Sequence, residues 1–371
     1  MKIKLSGAKF SAIVENTVKI KKLEKDRGEE FLFLNRGINA VVNIDLSEVV
    51  KTIDFNSNDI QVYPPNNGRV ELKNAINKSY FHNQANSDNI FAVAGGMNGL
   101  RLVTEIIDVE KIYISKLYWG AYTNVMTMNK VEFDFYEDFK FLEDNLELLK
   151  DSAVIICDPN NPVGDKYDDN LLLELVKKLD ANGTIIIWDS PYRRLFFDNE
   201  RDEYYSKLIK FENLIIVESF SKSVGLSGQR LGFVHSTNKE FNKEFAIHIL
   251  YTGNGINAFV QILVEKLLTT EEGKKAAHRF KIDTIIGITQ NIKYLRDNNL
   301  LAERFYKDST PVGIFVIVNK TFDELLSYNI GSVALPYFTT LPKEEAEKYS
   351  RISVSVPHDK FVKYFSKMIN N

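Results

Sequence analysis

The sequence predicts an α/β fold in which a large lobe with a mostly parallel sheet adjoins a smaller α+β lobe. Short β-branched runs that are apolar on both faces are typical of strands buried inside a parallel sheet. Amphipathic segments separate several of these runs, as helices do in α/β folds. Beyond about residue 240, long helical patterns and isolated strands replace this alternation, which indicates a second lobe.

Five apolar runs are predicted to be strands of the large sheet. They cover residues 111–115, 153–158, 184–189, 214–219 and 231–236. A helix is predicted over residues 168–182, because leucine and valine recur there at helical spacing and Gly183 follows where a C-cap is expected. A second helix is predicted over residues 99–109 on the same grounds.

The second lobe is predicted from the carboxyl-terminal third of the chain. Its elements are helices over residues 256–268, 274–298 and 322–327 and strands over residues 313–319 and 351–356. We therefore expect a large domain at residues 45–270. Residues 1–44 and 271–371 then form the small domain with an N-terminal arm.

Composition excludes several classes of function. The net charge is −3, and basic residues are mixed with acidic ones along the chain, so we expect no nucleic-acid partner. No apolar run approaches the ~18 residues that a membrane helix needs, so no membrane partner is expected. No Cys/His cluster is present, and we expect no metal site.

The expected compartment is the cytoplasm. Cys157 is the single cysteine, so no intrachain disulfide is possible. The first sixteen residues contain neither a sustained apolar segment nor a small-residue cleavage site, and we expect no signal peptide.

Polar residues are concentrated where the predicted strands end. These positions are the segment 158–164 (DPNNPVG), the segment 189–192 (DSPY), and the segment 219–222 (SFSK) followed by Arg230. Ligands bind outside the carboxyl ends of strands in open α/β sheets. Each segment alone also has an ordinary explanation, since NNPVG is a turn, Asp189 suits a helix N-cap and Lys222 suits the surface.

Together, the ordered series NPxG, DxxY and SxSK with an arginine eight residues later resembles the fold-type I enzymes that use pyridoxal 5′-phosphate (PLP). Within these enzymes the chain is similar to the class I and II aminotransferases, in particular the subgroup of histidinol-phosphate aminotransferase and threonine-phosphate decarboxylase. The resemblance covers roughly residues 30–360, and its central stretch is 218–232, ESFSKSVGLSGQRLG. It implies an aspartate-aminotransferase-like fold.

The resemblance implies a role for each matching residue. Lys222 carries the cofactor as a Schiff base, and Asp189 pairs with the pyridine nitrogen. Tyr192 and Asn161 hydrogen-bond the 3′-oxygen of the cofactor. The phosphate ligands are Ser219, Ser221, Arg230 and the backbone N–H groups of Gly96 and Met97.

Four further positions follow from the same resemblance. Trp119, preferred over Tyr118, stacks on the cofactor ring, although Leu117 replaces the proline that is usual in the family. Tyr63 reaches the phosphate of the neighbouring subunit, so a homodimer is expected. Arg351, together with Asn161 and Gly37, binds the α-carboxylate of the substrate.

The implied reaction is the transfer of an amino group between an α-amino acid and a keto acid. Decarboxylation or another cleavage at Cα on the same fold is the alternative, because the same cofactor supports both. Segment 331–337 lacks the arginine that grips a phosphate in histidinol-phosphate enzymes. Tyr337 and Phe338 suggest instead an aromatic or apolar substrate.

Two other classes of protein fit the sequence less well. A transcriptional regulator needs an additional helix-turn-helix module, for which the segment before residue 30 is too short. A non-catalytic PLP-binding protein would be expected to have lost Lys222 or Asp189, and both are present.

Overall fold

The computed structural model describes residues 1–197 and 201–369 of the chain. Its largest element is a seven-stranded sheet, whose strands we number in chain order. They are β1 (Ile90–Val93), β2 (Ile112–Ser115), β3 (Phe133–Tyr136), β4 (Ala153–Cys157), β5 (Ile185–Asp189), β6 (Leu214–Ser219) and β7 (Gly232–Ser236).

The spatial order of the sheet is β1-β7-β6-β5-β4-β2-β3. The four pairings from β6 to β3 are parallel, which confirms a mostly parallel sheet. β7 runs antiparallel to both of its neighbours, so the expectation that residues 231–236 are a parallel strand is wrong. Its connection to β6 contains no crossover helix of the usual length, and a short connection reverses the chain direction.

Two strands of the sheet were not predicted. β3 is an edge strand in which exposed Asp134 interrupts the aromatic residues, so it has no continuous apolar run. β1 consists of four buried residues. This short apolar run ahead of Gly95 was the available sequence signal for a strand.

Nine helices of eight or more residues surround the strands in the described part of the chain. They are Ala12–Arg27, Val70–Phe81, Gly96–Ile106, Ala121–Asn129, Asp169–Ala181, Lys239–Gly253, Ala258–Thr269, Glu271–Asp297 and His358–Ile369. The shorter α-helices are Ser47–Val50, Asn58–Gln61, Phe139–Asp144, Leu146–Leu149, Arg193–Phe196, Tyr204–Leu208, Phe220–Ser223, Phe322–Ser327 and Lys343–Ala346. None of the described helices is both long and apolar enough to cross a membrane.

The two faces of the large sheet contact different cores, which explains why its strands are apolar on both faces. Along β5, Ile187 belongs to the same core as Val103 on one face, while Trp188 belongs to the same core as Leu175 and Phe233 on the other. The strand therefore has no solvent-facing side.

A second sheet forms the smaller lobe. Its three antiparallel strands are Phe315–Val318, Ser350–Ser353 and Val333–Ala334, in this spatial order. The strand predicted over residues 351–356 ends at Ser353, a few residues before the helix that begins at His358. Two-residue ladders join Leu32–Phe33 to Ile330–Gly331 and Asp165–Lys166 to Thr310–Pro311.

Core membership separates the two lobes along the chain. Leu34 and Phe280 pack in the core of the smaller lobe, whereas Val49 and Leu267 pack in a core of the larger one. On this basis we keep as a proposal the division into residues 45–270 and residues 1–44 with 271–371. Residues 198–200 and 370–371 of these units lie outside the described residues.

Candidate active site

The carboxyl ends of β4, β5 and β6 open into one cavity of about 240 Å³ between the two lobes. Twelve of the thirteen residues assigned to a site from the sequence line it. They are Gly37, Gly96, Met97, Trp119, Asn161, Asp189, Tyr192, Ser219, Ser221, Lys222, Arg230 and Arg351. Adjacent parallel strands bring together residues that are distant in the chain, and this explains the convergence.

Lys222 lies one residue before the end of the short helix that follows β6. Its Nζ donates a hydrogen bond to the backbone carbonyl of Gly37, which belongs to the N-terminal segment. Burial, together with the nearby charges of Arg230, Arg351 and Arg36, lowers the pKa of Lys222 to about 8. A substantial fraction of the amine is therefore neutral and nucleophilic near pH 8.

Asp189 is the last residue of β5 and is buried. Burial raises its pKa to about 7, and a hydrogen bond donated by Tyr122 to Oδ2, 2.5 Å long, opposes this rise. Among the described residues no arginine or lysine forms an ion pair with it. A buried carboxylate in this situation is stabilised by a cationic partner, because such a partner offsets the cost of desolvation.

Tyr192 and Asn161 form a polar pair on the wall of the cavity. Burial raises the pKa of Tyr192 well above its usual value, and hydrogen bonding with Asn161 opposes this rise. Asn161 Oδ1 also accepts a hydrogen bond of 3.1 Å from Arg351 Nη1. Asn161 therefore links the phenol to the guanidinium group.

Ser219, Ser221 and Arg230 form a cluster of donors at one end of the cavity. The two serine hydroxyls are 3.0 Å apart, and Arg230 Nη1 donates to Ser221 Oγ over 3.3 Å. Gly95, with φ of +82°, precedes the helix that begins at Gly96, and a Cβ on Gly95 would lie 2.8 Å from Arg230 Nη2. Helix N-termini beside hydroxyls and a guanidinium group form a site suited to a phosphate.

Arg351 also lines the cavity and is fully buried. Its guanidinium carbon lies 4.0 Å from the ring centroid of Phe315 and 4.4 Å from that of Phe338. Nη2 donates to the carbonyl of Asn35 over 2.7 Å, whereas Nε has no hydrogen-bond partner among residues 1–197 and 201–369. Burial lowers the pKa of Arg351 to about 9. Such a clamped cation without an acidic partner is suited to bind a carboxylate.

Trp119 lines the cavity, and Tyr118 does not. The ring of Tyr118 packs instead against Phe135, with 5.2 Å between centroids. The ring of Trp119 meets Tyr122 edge to face at 5.6 Å. The structure therefore places at the cavity the aromatic residue that was preferred from the sequence.

Tyr63 is the one assigned residue that the structure places away from the cavity. Its side chain is 85% exposed. The suggestion that Tyr337 and Phe338 line a substrate pocket also does not match the geometry, because neither lines the cavity and Phe338 covers Arg351 instead. The apolar-substrate hypothesis loses its structural basis.

Sequence reasoning missed three functional candidates. Tyr122, Cys157 and Phe315 all line the cavity. The aromatic cluster at residues 118–122 held the signal for Tyr122, because a residue in the first turn of the helix after β2 can reach the neighbouring strand ends. Cys157 and Phe315 lie within apolar strand runs, and the sequence shows no polar signal there.

Comparisons with known proteins agree with this geometry. A family model described as aminotransferase class I and II matches residues 34–354. The aspartate aminotransferase of Pyrococcus horikoshii is 26% identical over 333 residues, which is 82% of each chain. The histidinol-phosphate aminotransferase of Brachyspira hyodysenteriae is 27% identical over 71% of this chain and 77% of that protein.

A solved aminotransferase from Mycobacterium tuberculosis has a similar fold, with a TM-score of 0.84. The alignment covers 100% of this chain and 98% of that one. Sequence identity is 16%, so this similarity shows the fold alone. The aspartate aminotransferase of Thermus thermophilus also shares the fold, with a TM-score of 0.82 at 16% identity over 100% of both chains, which confirms the predicted aspartate-aminotransferase-like architecture.

Proposed function

The chain belongs to the class I and II aminotransferase family and is an aminotransferase, and on that premise we propose that it exchanges an amino group between an α-amino acid and a keto acid with PLP held on Lys222. The observation that carries this proposal is the shared cavity. Lys222, Asp189 and Arg351 all line it.

The residues of the cavity fit the cofactor. The cluster of Ser219, Ser221 and Arg230 is suited to the phosphate. Asp189 is a buried acid without a basic partner among the described residues, and a protonated pyridine nitrogen would provide the missing cation. Lys222 offers an amine whose lowered pKa favours reaction with an aldehyde.

When bound, PLP supplies an electron sink for the electron pair released at the substrate Cα. With PLP bound, Lys222 would hold it until a substrate amine takes the place of the lysine, and the freed Lys222 amine would then move the proton that leaves the substrate Cα. Asp189 would keep the ring nitrogen protonated. Tyr192 and Asn161 would donate hydrogen bonds to the ring oxygen.

Arg351 orients the substrate through its α-carboxylate. Its rotamer is restrained by Phe315 and Phe338, and its Nη1 and Nη2 atoms are held by Asn161 and Asn35. A guanidinium group restrained in this way loses little freedom when it binds a carboxylate. Arg351 thus fixes the position of Cα relative to Lys222.

The test is a half-reaction without a keto acid. An aminotransferase converts bound PLP to its amine form, so the visible absorbance of the lysine-bound cofactor disappears and a keto acid accumulates. A decarboxylase would regain the visible band and release CO₂. The relatives named above are aminotransferases, so decarboxylation is not favoured. Lys222→Ala should abolish both the band and the turnover, and an active variant would refute the assignment.

We further propose that the protein is a homodimer in which Tyr63 reaches the phosphate site of the partner. Exposed apolar side chains near this segment support a protein interface. Val70, Ile247 and Leu250 line one surface hollow together with Pro65. The single cysteine is consistent with a cytoplasmic location.

A further inference from the structure

Glu218 is a fully buried acid that directly precedes Ser219 at the end of β6. Both of its carboxyl oxygens have a hydrogen-bond partner. Oε1 accepts a hydrogen bond of 2.8 Å from the backbone N–H of Ser219, and Oε2 accepts one from the phenol of Tyr205. The carboxyl therefore joins the cluster of donors at the cavity to the short helix Tyr204–Leu208, which packs in the core of the large lobe.

The carboxyl binds the N–H of Ser219 at the point where β6 leaves the sheet. Asp189 and Val217 are the last paired residues of β5 and β6, and Ser190 N then donates to the carbonyl of Val217 over 3.0 Å. Beyond this point the N–H of Ser219 donates to Glu218. A buried backbone N–H requires an acceptor, so Glu218 sets the orientation of the peptide group of Ser219.

The backbone of Ser219 determines where its hydroxyl lies in the cavity. Ser219 Oγ accepts a hydrogen bond of 3.3 Å from Ser221 N and lies 3.0 Å from Ser221 Oγ. A Cβ on Gly96 would lie 3.4 Å from Ser219 Cβ, so the serine packs directly against the start of the neighbouring helix. A rotation of the Ser219 peptide group would therefore move a hydroxyl that the proposed function assigns to the cofactor phosphate.

The surroundings of Glu218 make an acid costly at this position. Glu218 lies opposite Phe233 in the ladder between β6 and β7. Its partner Tyr205 packs edge to face against Tyr80, with 5.7 Å between centroids. Burial raises the pKa of Glu218 to about 8, and the hydrogen bonds from Tyr205 and Ser219 oppose this rise. An apolar side chain would fit this core at a lower cost, so the carboxyl indicates a task that requires a polar group.

We propose that Glu218 is a positioning residue for the cofactor phosphate, because its carboxyl, held by Tyr205, fixes the backbone and hence the hydroxyl of Ser219. This inference rests on the proposed function, in which Ser219 is a phosphate ligand. Glu218 does not line the cavity, so it acts through Ser219 and not by contact with the cofactor. Its loss should weaken the binding of a phosphate group and leave the binding of the pyridine ring nearly unchanged.

A comparison of PLP with pyridoxal, which lacks the phosphate, tests the proposal. The apoprotein is titrated with each compound, and the visible absorbance of the lysine-bound form gives the dissociation constant. We expect Glu218→Leu to lower the ratio of PLP affinity to pyridoxal affinity by about 20-fold, because the buried N–H of Ser219 loses its acceptor. Tyr205→Phe keeps the ring and releases one carboxyl oxygen, and it should lower the same ratio by about fivefold.

Two further variants distinguish positioning from general damage to the core. Glu218→Gln keeps an acceptor for Ser219 and a polar partner for Tyr205, so the ratio should stay within about twofold of the parent value. Tyr204→Phe removes a buried hydroxyl from the same short helix, and this hydroxyl has no hydrogen-bond partner in the described part of the chain. The ratio should not change in Tyr204→Phe.

Three results would overturn the proposal. The first is an equal loss of affinity for PLP and pyridoxal in Glu218→Leu, which would indicate a purely structural role. The second is a ratio in Glu218→Gln as low as that in Glu218→Leu. The third is an equal affinity of the parent protein for the two compounds. If Glu218→Leu does not fold, Tyr205→Phe decides, and an unchanged ratio in that variant rejects the role of Glu218.

Binding of inorganic phosphate separates failure of this inference from failure of the proposed function. Phosphate does not react with Lys222, so calorimetry of the apoprotein measures the phosphate site alone. We expect Glu218→Leu to bind phosphate about 20-fold more weakly than the parent protein does, and Glu218→Gln to bind it equally well. A parent protein that binds phosphate no more tightly than Glu218→Leu would reject this inference alone. If PLP gives no visible band with the parent protein, the proposed function fails, and the phosphate titration still decides the role of Glu218.

Discussion

The phenol of Tyr122 donates a hydrogen bond of 2.5 Å to Asp189 Oδ2, across the edge of the large sheet. This bond opposes the effect of burial, which raises the pKa of Asp189 to about 7. Tyr122 is thus a positioning residue that favours the ionised carboxylate, the form that pairs with a protonated ring nitrogen.

Tyr122→Phe should shift the pH dependence of PLP binding. Asp189 is ionised above its pKa, so the affinity of the parent protein for PLP should fall as the pH drops below about 7. Removing the hydrogen bond raises the pKa of Asp189, and the fall should then begin at a higher pH. Titration of the apoprotein with PLP between pH 5 and 9 measures the pH at which the affinity begins to fall. Superimposable curves for the two proteins would show that Tyr122 does not act on Asp189.

The lowered pKa of Lys222 predicts when the apoprotein reacts with PLP. The neutral amine reacts, so the rate of appearance of the visible band should rise with pH and level off above about 8. An ordinary lysine would level off near 10 instead. Stopped-flow absorbance measures the profile. A rate that still increases tenfold per pH unit at pH 9 would contradict the lowered pKa.

Replacement of Arg351 should raise the stability of the protein and lower its activity. Arg351→Met removes a buried cation without an acidic partner and keeps an apolar chain between Phe315 and Phe338, so the apoprotein should gain free energy of unfolding as the desolvation cost of the cation is removed. The same variant should lose about 2–5 kcal/mol of transition-state binding for amino acids, because their carboxylate loses its partner. Urea unfolding and kcat/KM are measured together. A destabilised variant with unchanged kcat/KM would contradict both expectations.

The burial of His235 predicts that the folded protein loses stability in acid. The His235 ring is buried, neither ring nitrogen has a hydrogen-bond partner in the described part of the chain, and burial lowers its pKa to about 4. The unfolded chain binds a proton near pH 6.5 and the folded chain only near pH 4, so stability falls as the pH decreases between these values, by about 3 kcal/mol.

His235→Leu should remove this part of the pH dependence in urea unfolding measured from pH 7 to pH 4. The exposed His278→Leu serves as the control for the loss of an imidazole at the surface. Other buried groups contribute equally to parent and variant, so the difference isolates His235. Parallel curves for His235→Leu and the parent protein would contradict the prediction.

Hybrid dimers test the proposed role of Tyr63. Tyr63→Ala and Lys222→Ala homodimers should both be weakly active or inactive. When the two variants are mixed and reassembled, one site of each hybrid contains Lys222 and receives Tyr63 from the other subunit, so activity should return. If the activity of the mixture equals the sum of the activities of the two separate variants, Tyr63 does not act across an interface.

Local patterns in the sequence were sufficient to predict most of the large sheet and the identities of most cavity residues. Strands that are apolar on both faces must lie between layers of helices, and the polar residues at their carboxyl ends must share one rim. Lys222, Asp189 and Asn161 could therefore be predicted to meet, because parallel neighbouring strands bring their ends together.

Only the tertiary structure decided the direction of β7, the contact of Tyr122 with Asp189 and the contact of Asn35 with Arg351. Apolar periodicity reports burial and carries no information on strand direction. Tyr122 lies 67 residues from Asp189, and Asn35 lies 316 residues from Arg351. Contacts over such separations depend on how the lobes pack against each other, and a single sequence does not encode that packing in any local pattern.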